Sequence, residues 1–276
     1  MGIKATAGTL MELINRIAPF SLAEEWDNSG LQAGDLSWPV KKVMIALDVS
    51  EDVMESAEKW GADLVLTHHP LMFRPIKCID FGTVQGKIIL RAALCKISII
   101  SAHTNFDKAD KGLNDFFADL IGLSDIVNLY EDEKISDKKD QGIYPGIGRQ
   151  GKLVSPMNLA SFAVQIKDRL GIKNLRVTGD ENLPIKKAAV CTGSGGSLLD
   201  VFFKSGADVF VTGDIKYHEA RDIEQAGLGL IDVGHFSSEH IGVDLLAERL
   251  DSYATDSGID IEIRKFKSDR DPFKII

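Results

Sequence analysis

The strongest constraint on this 276-residue chain is a repeated heptapeptide. Gly61-Ala62-Asp63-Leu64-Val65-Leu66-Thr67 recurs as Gly206-Ala207-Asp208-Val209-Phe210-Val211-Thr212, a spacing of 145 residues. The same shift lays the apolar run 43–47 over 188–192, and the helical stretches before each Gly-Ala-Asp superpose. The next strands match too. ISIISAH ends at His103 and GLGLIDVGH ends at His235, each with an acid four residues on, Asp107 and Glu239. Three elements in the same order predict an internal duplication, and hence two similar lobes facing one another.

The periodicity says what kind of lobe. Leu10, Leu13, Ile14 and Ile17 sit at helical spacing, and Pro19 closes that helix over residues 9–18. Further helices are predicted over 52–60 (with Ser50 as cap), 84–95, 161–170, 198–204 and 239–250. Near-continuous apolar runs at 43–49, 62–70, 97–107, 187–192, 208–214 and 227–235 read as buried strands, several with polar tips. Residues 175–178 read as a short strand, and DIEIRKF at the end reads as an alternating one. Asp27-Asn28-Ser29-Gly30 reads as a turn. Strands alternating with helices predict an α/β fold with a largely parallel sheet. The first lobe is expected over 1–130 with 240–276, and the second over 131–239. The charged, aperiodic run EDEKISDKKDQG (131–142) reads as an exposed linker, so the ordered part of the second lobe begins at 143.

Composition excludes several functions. A hydrophobic content of 44% suffices for a sizeable core without staples. The net charge of −9 counts against a nucleic-acid face. Only the tail, with Arg264, Lys265, Lys267, Arg270 and Lys274, is basic. Cys78, Cys95 and Cys191 form no C-x-x-C pair, and the last two lie in apolar runs that read as buried, so a reducing, cytoplasmic setting is expected. The N-terminus lacks the apolar stretch of a secretory signal, and no run of about 20 apolar residues is present to span a membrane. Met1-Gly2 weakly fits a myristoylation pattern, but no second membrane signal accompanies it.

The chain has six histidines. Five of them, His68, His69, His103, His218 and His235, fall in polar segments at strand ends, and only His240 does not. Ligand sites in open parallel sheets lie outside the carboxyl ends of the strands. His68-His69-Pro70 places two imidazoles just past one strand, where both can turn into one cavity. His235 and Glu239, four apart, share a face if a helix starts there. Asp107 is the mirrored carboxylate, and His103 is either a ligand or an orienting partner for Asp107. Two or three imidazoles with two carboxylates make a mixed nitrogen–oxygen shell that suits Zn, Fe, Mn, Co or Ni rather than Ca or Mg. Such a pair of ions activates water for hydrolysis. On an enzymatic reading His218 and Glu219 are candidates for proton transfer. Trp26, Asp27 and Asn28 are candidates to line the cleft. The Thr192-Gly193-Ser194-Gly195-Gly196-Ser197 loop reads either as a phosphate cradle or as a plain strand-to-helix turn.

Six ordered motifs now stand together: LAEEWDNSGLQAGD (22–35), THHP (67–70), SAHTNFD (101–107), PGIGRQGKL (145–153), ADVFVTGDIKYHEARD (207–222) and DVGHFSSE (232–239). Over nearly its whole length the chain resembles the GTP cyclohydrolase 1 type 2 homologues, also called the Nif-three-like family. The resemblance implies a dinuclear metal site on His68, His69, Asp107, His235 and Glu239, in the cleft between two intertwined α/β lobes. It implies two divalent ions as cofactors, a homohexamer, and a short form without the domain that longer relatives insert. It implies a metal-dependent hydrolase acting on a nucleotide or related small molecule, since some members are named for opening the imidazole ring of GTP. His218 then reads as a residue behind the ligands or facing substrate, or as a hydrogen-bonded structural histidine. The alternative is a non-catalytic, metal-binding hexameric scaffold or regulatory protein.

Overall fold

The computed structural model describes residues 4–131 and 146–276. Residues 132–142 of the expected linker, and Pro145 of the PGIGRQGKL motif, lie outside the described residues. The chain divides into two compact units, Met1–Phe106 with Gly242–Arg270 and Asp107–Ile241 with Asp271–Ile276.

The first unit starts with α1 (Ala7–Ile17), two residues earlier than the spacing predicts, because Thr6 and Thr9 form a reciprocal capping box. Then come β1 (Gly30–Ala33), β2 (Lys42–Ala46), α2 (Glu51–Trp60), β3 (Leu64–Thr67), α3 (Val84–Cys95) and β4 (Ser98–Ser101). Ser50 caps α2 and Thr83 caps α3, each through its side-chain oxygen. The sheet order is β1-β4-β3-β2-β11, where β11 (Glu262–Lys265) is the terminal alternating strand. All its pairs are parallel except β1 with β4. β3 and β4 are buried along their whole length, as strands with helices on both faces must be. Met44, Val53, Met54, Ala57, Val65, Ile88 and Ile99 build the core against the capped helices.

The second unit contains α4 (Thr104–Lys108), α5 (Leu113–Ile121), β5 (Leu123–Glu131), β6 (Gly146–Asn158), α6 (Leu159–Leu170), β7 (Arg176–Thr178), β8 (Pro184–Ser194), α7 (Leu199–Ser205), β9 (Val209–Gly213), α8 (Tyr217–Gln225), β10 (Gly229–Asp232) and α9 (His235–Glu239); α4 begins on the last residues of the first unit. α10 (Ile241–Asp256) follows and belongs almost wholly to the first unit. The second sheet runs β5-β6-β8-β9-β10-β7, and only β8–β9 and β9–β10 are parallel. The expectation of a largely parallel sheet therefore holds in the first unit and fails in the second. The added strands β5, β6 and β7 pair antiparallel. The glycines of GIGRQG permit it: Gly148 holds φ +66°, and a Cβ there would come 2.8 Å from the Val190 carbonyl. Between them the buried Arg149 guanidinium donates to both Asp115 oxygens (2.6 and 2.9 Å) and to the carbonyls of Gly146, Gly148 and Ala109 (2.8, 2.8 and 3.2 Å). All five donors are spent, so this motif is structural.

The two units repeat a local design. Asp63 accepts from the amides of Lys41 and Lys42 at 2.8 and 2.9 Å, and Asp208 accepts from those of Lys186 and Lys187 at 2.7 and 2.9 Å. Lys42 Nζ donates to the Trp60 carbonyl, and Lys187 Nζ to that of Ser205. Val43 pairs with Leu64 in β2–β3, and Ala188 with Val209 in β8–β9.

Candidate metal centre

In the first unit the chain turns just past β3 and β4, bringing His68, His69 and His103 together. Their ring centroids lie 5.1 Å (His68–His69), 5.1 Å (His68–His103) and 5.6 Å (His69–His103) apart. One ligand atom of each lies within 4.8 Å of the others. Every ring is held by Nδ1. His68, 1% exposed, places Nδ1 2.9 Å from the Ala102 carbonyl oxygen. His69 Nδ1 lies 2.7 Å from Asp48 Oδ1, and His103 Nδ1 lies 2.7 Å from Asp27 Oδ1. A carbonyl oxygen only accepts, so His68 carries its hydrogen on Nδ1 and presents Nε2 as the lone-pair donor. The carboxylates impose the same tautomer on His69 and His103, as an oxygen on Nδ1 does for a histidine that binds metal through Nε2.

Asp27 is itself locked in place. Burial pushes its carboxyl upward, but hydrogen bonding and charge from His103, with bonds from Thr104 and Ser29, hold it well below the usual carboxylate range. Ser29 and Thr104 hydroxyls reach Asp27 Oδ2 at 2.8 and 2.5 Å. The expected turn at 27–30 is thus an anchoring loop that leads into β1.

In the second unit Gly234, at φ +82°, opens the short helix α9. His235 and Glu239 share one face, as their spacing predicts, with Nε2 and Oε2 2.9 Å apart. His235 Nδ1 faces Asp214 Oδ2 at 2.8 Å. Both ring nitrogens therefore meet carboxylate oxygens, so a proton on Glu239, a second ring proton or a bound cation joins Nε2 to Oε2. Asp107, on α4, is 8% exposed and lies 3.5 Å from the Thr192 hydroxyl. The Cys191 thiol next to it is pushed far upward by burial and then by the charges of Asp107 and Glu239. Both carboxylates thus crowd the end of β8. Gly193 is required there, since a Cβ would collide with Glu239 Oε1. Gly213 is required too, because a Cβ would stand 2.7 Å from Gly234 C and His235 N. Cys191 is buried as expected, whereas Cys95 is only half-buried.

The remaining candidates have local duties. Glu219 accepts from the Lys216 amide at 2.8 Å and caps α8. His218 is exposed on the first turn of α8, edge-on to Tyr217. Two amides of the 192–197 loop are already spent: Gly193 N–H is given to Ser238 Oγ (2.9 Å) and Gly195 N–H to the Gly213 carbonyl (3.5 Å). The Glu219 carboxylate would also meet a Cβ at Gly196, an acidic wall where an anion would sit.

Sequence spacing does not show Asp48 or Asp214 and gives Asp27 only as a cleft-lining candidate, yet these three orient His69, His235 and His103. A signal for two of them exists. Asp48 and Asp214 each follow a strand, and each precedes by 21 residues a histidine just past the neighbouring parallel strand.

Comparison with known proteins places these motifs in context. Residues 5–272 match the family model Duf34/NIF3 (NGG1p interacting factor 3). A Clostridium perfringens protein called "GTP cyclohydrolase 1 type 2 homolog" is 39% identical, with 97% of this chain and 98% of that protein covered. A Staphylococcus aureus hypothetical protein, SA1388, superposes with a TM-score of 0.90 at 30% identity, covering 99% of this chain and all of its own. Reduced HcgD from Methanocaldococcus jannaschii superposes at 0.78 with 33% identity, covering 96% and 99%.

Proposed function

The chain belongs to the Duf34/NIF3 family, and on that premise we propose that it is a divalent-metal-dependent hydrolase acting on a nucleotide or related small molecule. His68 and His69 of the first unit, with Asp107, His235 and Glu239 of the second, serve one dinuclear centre. One observation carries the reading: the Nδ1 atoms of His68, His69 and His235 are each tied to an oxygen, which fixes Nε2 as donor. The donor set fits the ions. Imidazole nitrogen with carboxylate oxygen suits Zn, Fe, Mn, Co or Ni, and a cation can take the place of the proton between His235 and Glu239. When bound, such ions supply Lewis-acid activation of water and substrate.

The chain's own residues do the rest. Asp48 and Asp214 hold the imidazoles in their donor tautomer. Buried Glu239 and Asp107 supply the negative charge. His218 and Glu219 are the candidates to carry a proton at the α8 end. The nucleotide class is supported by the relatives' name, "GTP cyclohydrolase 1 type 2 homolog". Internal duplication is supported by the matched Asp63 and Asp208 bonds and the equal strand registers. A homohexamer in the cytoplasm completes the proposal. The exposed apolar side chains Ile76, Ile79, Phe81 and Val84 suit an assembly surface, and no helix among the described residues is long and apolar enough to cross a membrane.

The test is turnover of a panel of nucleotides and phosphoesters by protein reloaded anaerobically with each metal. Metal-dependent loss of one substrate, abolished in His69→Ala, is expected. Full metal loading with no turnover across the panel would leave the non-catalytic scaffold in its place.

A further inference from the structure

Beside the first unit's histidines, two large aromatic side chains stand in solvent. Trp26 is 58% exposed and Phe73 is 50% exposed. Their centroids are 5.5 Å apart and their planes 59° apart, an open wedge rather than a closed stack, so each leaves part of its π-surface uncovered. Both also lean on His103, with centroids at 6.1 and 6.2 Å and near-perpendicular planes.

The wedge is held rigid from below. Asp27, the residue after Trp26, is clamped by Ser29, Thr104 and His103. Asn28 Nδ2 donates to the Met72 carbonyl, next to Phe73, at 2.8 Å. The buried Gln32 amide joins the two segments again: Oε1 accepts from Met72 N (3.2 Å) and Asn28 Nδ2 (3.2 Å), and Nε2 donates to the Asn28 carbonyl (2.5 Å). Four polar bonds thus tie together the two segments that carry these side chains. A flat ring with polar edges fits this pair, because its face takes aromatic surface while its edge reaches the imidazoles beside it.

We infer that Trp26 and Phe73 form a stacking slot for a planar heteroaromatic ring, the nucleobase class, and determine specificity at the metal centre. This deepens the nucleotide reading given above and rests on it for the ligand class. The slot selects a base-bearing ligand over a base-free one by reading the face of the base, and is tolerant of which base it is.

The experiment is equilibrium binding of GTP, ATP, CTP and UTP, with inorganic triphosphate as the base-free probe. It uses metal-loaded wild type, Trp26→Ala, Phe73→Ala and the conservative Trp26→Phe. At least one nucleoside triphosphate binds the wild type, and each alanine variant weakens it about tenfold, as loss of one base–aromatic stack does. Inorganic triphosphate binding stays unchanged, Trp26→Phe restores most of the affinity, and metal content stays at the wild-type level. Phe73→Leu serves if Phe73→Ala fails to fold. The slot is overturned if no nucleotide binds the wild type, if inorganic triphosphate binds as well as the nucleotides, or if the alanine variants bind unchanged. It is equally overturned if those variants alter only the oligomeric state, which makes the wedge a contact between copies. Nucleotide binding without turnover leaves the slot standing and removes only the hydrolase.

Discussion

The two units share a few matched bonds at their parallel strands and gather opposite donors. Past its parallel strands the first unit gathers three imidazoles, while the second gathers two carboxylates and a single imidazole. In both, a histidine is steered by an aspartate from the neighbouring strand tip, at the same separation of 21 residues. The scaffold therefore fixes where donors stand, and the few residues beyond each strand end choose their chemistry. An imidazole cluster alone brings no charge to offset a divalent ion, and a carboxylate cluster alone favours hard cations. A shell drawing on both kinds of donor, as proposed above, would combine the two preferences.

The largest expected effect probes that division. His69→Ala in the first unit and Glu239→Gln in the second should each weaken divalent-metal affinity by at least about a hundredfold in competition titrations, beyond the cost of losing an orienting residue. If only the first unit's variant responds, the centre is an all-imidazole one and the contrast has no role in it. Next come the orienting carboxylates. Asp48→Asn and Asp214→Asn should each cost roughly 10–100-fold in the same titration. An effect at one and none at the other would show that the two aspartate–histidine pairs are alike in geometry only.

The proposed duplication is tested by Asp63→Ala and Asp208→Ala, each of which removes the acceptor of two backbone amides. Each should lower stability by about 1–3 kcal/mol in denaturant unfolding. Sharply unequal losses would break the equivalence of the two units. The smallest effect is that of pH on the Asp27 anchor, which has no counterpart among the second unit's described bonds to His235. Its carboxyl is held low in the fold, so its stabilisation is complete above about pH 4 and is lost as pH falls through the folded value. Asp27→Asn should therefore be destabilised by roughly 1–2 kcal/mol at neutral pH, with the gap to wild type closing in acid. A gap independent of pH would remove the charge from the explanation.

Much of this was legible in the residues. The bounds of α3, Val84–Cys95, match the apolar spacing, and α2 starts one residue early only because its Ser50 cap leaves Glu51 as the first helical residue. The His235–Glu239 face followed from a spacing of four. The rest was hidden for physical reasons. β6 alternates burial and is broken by three glycines, so it offers no apolar run to read. α8 buries only Ile223 and lacks an apolar stripe. β1 is an edge strand of four residues entered through a turn-like Asp-Asn-Ser-Gly. Asp27 orients His103 from 76 residues away, a pairing that folding alone creates.

The proposed function requires the imidazoles of one unit and the carboxylates of the other to hold the same two ions. X-ray absorption spectroscopy of the anaerobically reloaded protein measures this directly. The account predicts a mixed nitrogen–oxygen shell with a metal–metal vector of about 3.5–4 Å, the nitrogen share falling in His69→Ala and the oxygen share in Glu239→Gln. A single ion in an all-nitrogen shell, unchanged by Glu239→Gln, would contradict it.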